Sequence, residues 1–336
     1  MRNTAAAKIL DELVDEFPDA PALTLAKRAF VRNPGVWPNL EACRSAVRSR
    51  LGVYGKKARK EATDKSHFRK PRAAGWHDVI PEPLLPANLW EPVQIDGPHR
   101  VGVLSDLHIP FHDKNANEVA LDHIERRNPT LILLNGDIAD HYAQSFFQTD
   151  PRLRDFPEEV RQVKFFLRGL RKRFPRVRLI YKLGNHEERW DRYLRHKAPE
   201  LLGIDEFDWK NVFALDDYKI ELVDSKRPIR LGKLNVIHGH EYRFAISNPV
   251  NPARGFYLRG QAHCLGGHFH QTSQHSAKTV EQHVVGAWST GCLCDLHPEY
   301  APLNNWNHGF AFVTVPKDGA FNVDNYKIIG GKVYQS

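Results

Sequence analysis

The sequence predicts an α/β fold, a four-layer α/β/β/α sandwich behind a small all-helical N-terminal domain. Short apolar runs alternate with amphipathic helices from Arg100 to Leu183, shorter and more alternating strands follow from Leu234, and the first 52 residues show only helical spacing broken by Pro and Gly. A chain of 336 residues can hold one substantial core and a smaller appended domain. We divide it into a helix-turn-helix-like three-helix domain (1–54), a basic and Pro/Trp-rich linker (55–98) and the layered domain (99–336).

The spacing predicts helices over Thr4–Phe17, Pro21–Arg32 and Asn39–Leu51. In the third, Leu40, Cys43, Val47 and Leu51 share one face, Asn39 is placed to cap the start and Gly52 to end it. Arg44 and Arg48 lie one turn apart on another face, the pattern of a final helix that enters a nucleic-acid groove, or of plain trihelical packing. The following tract contains Lys56, Lys57, Arg59 and Lys60 and suits phosphates, or a solvated linker. Residues 1–75 hold 16 Lys or Arg against 8 Asp or Glu, whereas the remainder holds 32 of each, so the basicity is segregated and a polyanionic partner, DNA or RNA, is expected. Pro71–Pro98 reads as an extended connector lying against the larger domain, anchored by Trp76 and Trp90.

From Arg100 onward, Val101–Leu104, Thr130–Leu134 and Val177–Leu183 read as buried strands, with helices over Asn115–Arg127 and Pro157–Phe174. Leu234–Ile237, His283–Trp288, Gly309–Val315 and Ala320–Lys327 read as strands of a second, more mixed or antiparallel sheet. No run of about 18 apolar residues is present to span a bilayer, and Thr4–Phe17 is amphipathic and unlike a secretion signal. Cys43, Cys264, Cys292 and Cys294 lack disulfide-framework spacing, which suits the reducing cytoplasm of a bacterial or phage-infected cell.

Asp106 and His108 directly follow one apolar run, Asp137 the next, Asn185 and His186 the third, and His238 a fourth. Ligands in open α/β sheets gather beyond the C-terminal strand ends, so these side chains are expected to converge. A lone strand-end histidine is more often structural. Four consecutive strand ends bearing metal-capable residues are a different matter.

The ordered blocks Asp106-Leu107-His108, Gly136-Asp137-Ile138-Ala139-Asp140, Gly184-Asn185-His186-Glu187, His238-Gly239-His240 and Gly267-His268-Phe269-His270 resemble the calcineurin-like metallophosphoesterase superfamily, in particular phage and prophage members with an N-terminal helical segment. The resemblance implies a first metal on Asp106, His108 and His270, a second on Asn185, His238 and His268, and Asp137 as a bidentate bridge between them. It implies His186 as the catalytic non-ligand histidine, with Asp140 orienting it or a neighbouring group, and no metal role for His240. The implied cofactors are two divalent ions about 3.5 to 4 Å apart. Manganese is the expected ion, and iron, zinc, nickel or cobalt suit the same donors.

In the phosphoprotein phosphatases of this superfamily an Arg follows the second acidic residue; here His141 stands after Asp140, which points toward the nuclease and phosphodiesterase branches. The implied activity is dimetal-dependent phosphodiester hydrolysis of DNA or RNA. The alternatives are a phosphatase of nucleotides, small phosphomonoesters or phosphoproteins, and a nucleic-acid-binding protein whose phosphoesterase domain is inactive. His112 and His141 are substrate-contact candidates or surface histidines. Cys292 and Cys294 raise the question of a structural zinc, but Cys-x-Cys without a second pair favours strand-end packing.

Overall fold

The computed structural model describes residues 4–52, 75–83, 91–224, 226–242 and 249–336, in two compact units, Met1–Ala87 and Asn88–Ser336. In the first unit, α1 (Thr4–Glu16), α2 (Ala22–Arg32) and α3 (Leu40–Leu51) enclose a core of Leu10, Leu13, Leu25, Ala26, Ala29, Trp37, Cys43 and Val47. The Asn39 side chain accepts the Ala42 N–H at 2.8 Å, so the capping residue starts α3 where its chemistry requires. Arg44 is half-buried and paired with Glu41, Arg48 is exposed, and Lys56, Lys57, Arg59 and Lys60 lie outside the described residues. A short helix α4 spans Trp76–Val79, and Trp90 lies outside the described residues.

The second unit begins with β1 (Val93–Ile95), β2 (His99–Leu104), α5 (Lys114–Arg126), β3 (Leu131–Asn135), α6 (Phe156–Arg173), β4 (Arg178–Lys182), α7 (Glu188–Lys197), α8 (Trp209–Val212) and β5 (Ile220–Val223). It continues through β6 (Ile229–Leu231), β7 (Leu234–Val236), α9 (Pro252–Gly260), β8 (Cys264–Gly266), β9 (Ser273–Lys278), β10 (Val284–Ser289), β11 (Gly309–Val315), β12 (Asn322–Ile329) and β13 (Lys332–Gln335). A seven-stranded sheet runs β13-β12-β11-β2-β3-β4-β5, and a six-stranded sheet runs β1-β6-β7-β8-β10-β9.

Period-two alternation explains why the layers stack. Ile132 and Leu134 of β3 meet Ala116, Ala120 and Ile124 of α5 and Val163 and Leu167 of α6 in one core, whereas Leu131 and Leu133 join Leu231, Leu234, Val236 and Leu265 of the other sheet. On the far face of that sheet, Ala253 and Phe256 of α9 pack with Ile237, Cys264 and Ala287. The result is the expected α/β/β/α order.

Two placements differ from the sequence reading. β11 and β12 were assigned to the second sheet, but β11 pairs antiparallel with β2, Ala311 opposite Val103, and extends the first sheet. The expected connector also contributes a strand, since β1 pairs parallel with β6 at Val93 opposite Ile229. Antiparallel partners far apart in sequence carry no local mark of which edge they will join.

Candidate metal centre

The parallel strands β2, β3 and β4 end side by side, as do β7 and β8 in the other sheet. Beyond β2 and β3 the loops stay zipped: the His108 N–H donates to Asp137 O at 2.9 Å and the Ile109 N–H to Ile138 O at 2.8 Å. Across the sandwich edge the Gly267 N–H donates to His238 O at 2.7 Å. The strand order therefore brings together residues that are up to 164 positions apart in sequence (Asp106 and His270).

The loops are bent sharply to achieve this. Asp106, His108, Asp137, His268 and His270 all have φ between +52° and +70°, a left-handed backbone that costs free energy in non-glycine residues and clusters where function requires it. Two glycines permit the close approach. A Cβ on Gly184 would lie 2.2 Å from Asp137 Oδ1, and one on Gly267 would lie 2.6 Å from Asp106 Oδ2.

Two donor clusters result. In the first, His108 Nε2 and His270 Nε2 face each other at 3.1 Å, with Asp106 Oδ1 3.4 Å from His270 Nε2. The His108 Nδ1–H is already given to Asp140 Oδ2 at 3.0 Å, so its Nε2 presents a lone pair. In the second, His238 Nε2 lies 3.2 Å from both Asp137 Oδ2 and Asn185 Oδ1, and His268 offers a nitrogen to the same group. His238 Nδ1 is committed to Asn135 O at 2.8 Å, again turning Nε2 inward. Nitrogen and oxygen atoms converging at such distances could hold a cation between them, and imidazole, carboxylate and amide donors suit a first-row divalent metal. The residues fit two ions.

The two oxygens of Asp137 have different partners. Asp137 Oδ1 accepts the His186 N–H at 2.9 Å, leaving Oδ2 alone to face both clusters, 3.2 Å from His238 Nε2 and 3.9 Å from His108 Nε2. Asp137 thus stands between the two clusters, where a bridging carboxylate would be needed.

The electrostatics follow from burial among opposite charges. Burial works to raise Asp106, but the hydrogen bond and charge of His270, with His238, hold it down at about 2. Asp137 is likewise held well below the carboxylate range against burial, chiefly by His238 and His186. Burial works to lower His238, but Asp137 and Asp106 draw it up to about 10. His268 is pushed down to about 3 by burial and by the neighbouring His238 charge.

His186 stands beside His108, their ring centroids 4.3 Å apart, and near Asp137, with its Nδ1 2.8 Å from Asp140 O and 3.4 Å from Asp140 Oδ2, so its closest orienting contact is the carbonyl. Asp140 thus serves two histidines, with its carboxylate nearer to His108. His240 turns away to Glu188 Oε1 at 3.0 Å.

His141 corrects the sequence reading. It is fully buried, its Nε2 accepts the Trp209 Nε1–H at 2.9 Å, and the rings of Phe156 and Phe213 flank it. Burial pushes its pKa down to about 3, as befits a neutral structural imidazole, so it is neither a surface nor a substrate-facing group. His112 is half-buried and its backbone bridges to Cys294. Cys292 and Cys294 are both buried in strand-like pairing, and Cys294 Sγ lies 3.9 Å from His270 Nδ1, behind a donor of the first cluster.

Several supporting residues had no role in the sequence reading. The buried Glu187 carboxylate accepts the N–H groups of Asp137, Ile138, Ala139 and Gly184 and the Tyr181 hydroxyl, which pins two loops together. Lys182 Nζ lies 2.9 Å from Glu241 Oε1, and Glu241 in turn accepts the N–H groups of His238 and Gly239. Arg189 reaches both His186 and Asp140. Glu187 ends the Gly184-Asn185-His186-Glu187 block, but Lys182 lies in an apolar strand where only its isolation as a charge marks it.

The model of the calcineurin-like phosphoesterase family matches residues 99–275. Gene 54 protein of Mycobacterium phage L5 is 24% identical over 252 residues, covering 69% of this chain and 95% of that protein. Gene 54 protein of Mycobacterium phage D29 is 24% identical over 229 residues, covering 64% and 89%. Among solved structures, vacuolar protein sorting 29 from Cryptosporidium parvum is 12% identical with a TM-score of 0.38, covering 70% of this chain and 95% of that one. No helix among the described residues is long and apolar enough to cross a membrane.

Proposed function

Because the chain belongs to the calcineurin-like phosphoesterase family, we propose that it is a dimetal-dependent phosphodiester hydrolase, a nuclease acting on DNA or RNA. The observation that carries this reading is Asp137 Oδ2, which faces two separate donor clusters at once. Asp106, His108 and His270 would hold one ion, Asn185, His238 and His268 the other, and Asp137 would touch both. Two bound cations would supply activation of water and charge neutralisation at phosphorus. The protein residues then have defined tasks. His186 Nε2 faces away from the Asp140 carbonyl that fixes its Nδ1, and from there it would give a proton to the departing ester oxygen. Asp140 would keep His108 in the tautomer that binds metal, and manganese is the ion we assign for activity.

The charge segregated into residues 1–75 supports a nucleic-acid substrate over a small ester. Arg44, Arg48, Lys56, Lys57, Arg59 and Lys60 would hold the phosphate backbone, and His112 is retained as a substrate contact. The test is a manganese-supplemented assay on single- and double-stranded DNA and RNA beside bis-p-nitrophenyl phosphate, with Asp137→Asn as the control. Cleavage of nucleic acid that is lost in Asp137→Asn supports the reading. Turnover of chromogenic esters with none on any nucleic acid would instead favour a phosphatase. Gel retention of the full chain with Lys56, Lys57, Arg59 and Lys60 changed to Glu should fall sharply, and unchanged retention would remove that segment from the interface.

A further inference from the structure

We propose that Arg189 is a catalytic residue that grips a non-bridging oxygen of the substrate phosphoryl group. The inference rests on the phosphoester-hydrolase reading above and names a contact that reading leaves open. Arg189 stands in the first turn of α7, just past the loop that carries Asn185 and His186. Its side chain is only 13% exposed, so its charge is spent inside the site and not in solvent. Nη2 donates to His186 Nε2 at 2.9 Å, and Nη1 donates to Asp140 O at 3.1 Å. The closest carboxylate oxygen, Asp140 Oδ1, is 3.6 Å away.

That geometry is unlike a structural arginine of this chain. Arg178 meets Glu221 through two parallel bonds of 2.7 Å each, fork against fork, which satisfies both partners. Arg189 has no such pair among the described residues. Asp140 gives its own carboxylate to His108 at 3.0 Å, so it is only a glancing partner for the guanidinium. A planar cation with five donors, largely desolvated and directed at the imidazole nitrogen that must face the reacting ester, is suited to a tetrahedral oxyanion. His186 Nε2 cannot both accept from Arg189 and donate to a leaving oxygen. A phosphoryl oxygen taking up the Arg189 N–H groups would release Nε2 to take a proton from water, forming the imidazolium that then passes that proton to the leaving oxygen. His141, the residue after Asp140, is buried against Trp209, and Arg189 brings a cation beside that aspartate from the first turn of α7.

The experiment uses the full-length, manganese-loaded protein with Arg189→Ala and Arg189→Lys, and inorganic phosphate as the probe. Calorimetric phosphate affinity should weaken at least about tenfold in Arg189→Ala, the loss expected for one charge-assisted contact. With bis-p-nitrophenyl phosphate, kcat/KM should fall by about 100-fold or more, as for loss of one transition-state donor. Millimolar guanidinium should restore part of it, and Arg189→Lys should lie between. Rescue by free guanidinium is a response that a merely structural side chain would not give. Unchanged phosphate affinity in Arg189→Ala would overturn the proposal, as would a loss of manganese binding that guanidinium does not repair. If the wild type binds phosphate in an Arg189-dependent way yet cleaves no ester, the hydrolase reading fails and the Arg189 contact stands. If cleavage is intact and phosphate binding is indifferent to Arg189, only the contact fails.

Discussion

Asp140 Oδ2 lies 3.0 Å from His108 Nδ1, both groups buried, so that the carboxylate behind the histidine decides which nitrogen the histidine offers to the first donor cluster. The His186 and His108 interactions hold Asp140 ionised far below its ordinary range against the opposing effect of burial. Removal of the carboxylate would free the imidazole to adopt the other tautomer and to rotate.

Asp140→Ala is therefore expected to lower manganese affinity by about 10–100-fold at the first site, the usual penalty for losing a group that orients a ligand. Asp140→Asn, which retains an acceptor oxygen, should cost less. Manganese titration of the metal-free protein by calorimetry measures both, and unchanged affinity in Asp140→Ala would show that His108 is oriented by something else.

Lys182 is fully buried and paired with Glu241 at 2.9 Å, and Glu241 also holds the N–H groups of His238 and Gly239. Lys182→Met leaves the carboxylate buried without its cation, a change that costs about 3–5 kcal/mol when one partner of such a pair is removed. Chemical denaturation should report that loss. The double variant Lys182→Met, Glu241→Gln should recover part of it, because no bare charge then remains.

Glu159 gives the fold a defined pH response. Burial and the neighbouring Asp140 charge push its carboxyl up to about 8, above an ordinary value of 4.5, although the backbone N–H of His141 partly opposes this. A carboxyl raised in the folded state contributes stability that is complete below pH 4.5 and is lost as pH rises through about 8. Glu159→Gln keeps an acceptor oxygen and cannot ionise. Its denaturation midpoint, relative to wild type, should shift upward between pH 5 and pH 9, and a difference constant over that range would show that Glu159 titrates normally.

The metal-ligand candidates and the layer order were legible in the sequence because both are local signals. An apolar run followed by Asp-Leu-His or Gly-Asn-His-Glu marks a strand end with its donors, and in parallel strands the ends must meet. The Asn39 cap was legible for the same reason, since a cap acts on an amide three residues away.

What only the tertiary structure decided concerns pairs that meet across the fold. β11 joins β2 and not the second sheet, His141 turns into an aromatic pocket built by Phe156, Trp209 and Phe213, and Lys182 finds Glu241. Asp137 accepts the His186 amide with one oxygen while the other faces both donor clusters, and Arg189 reaches Asp140 from the first turn of α7. A residue type and its spacing fix which face of a strand or helix it occupies, because those repeats are set by the backbone itself. They do not fix which distant group fills the space opposite, since that depends on close packing between elements the chain brings together only when it folds.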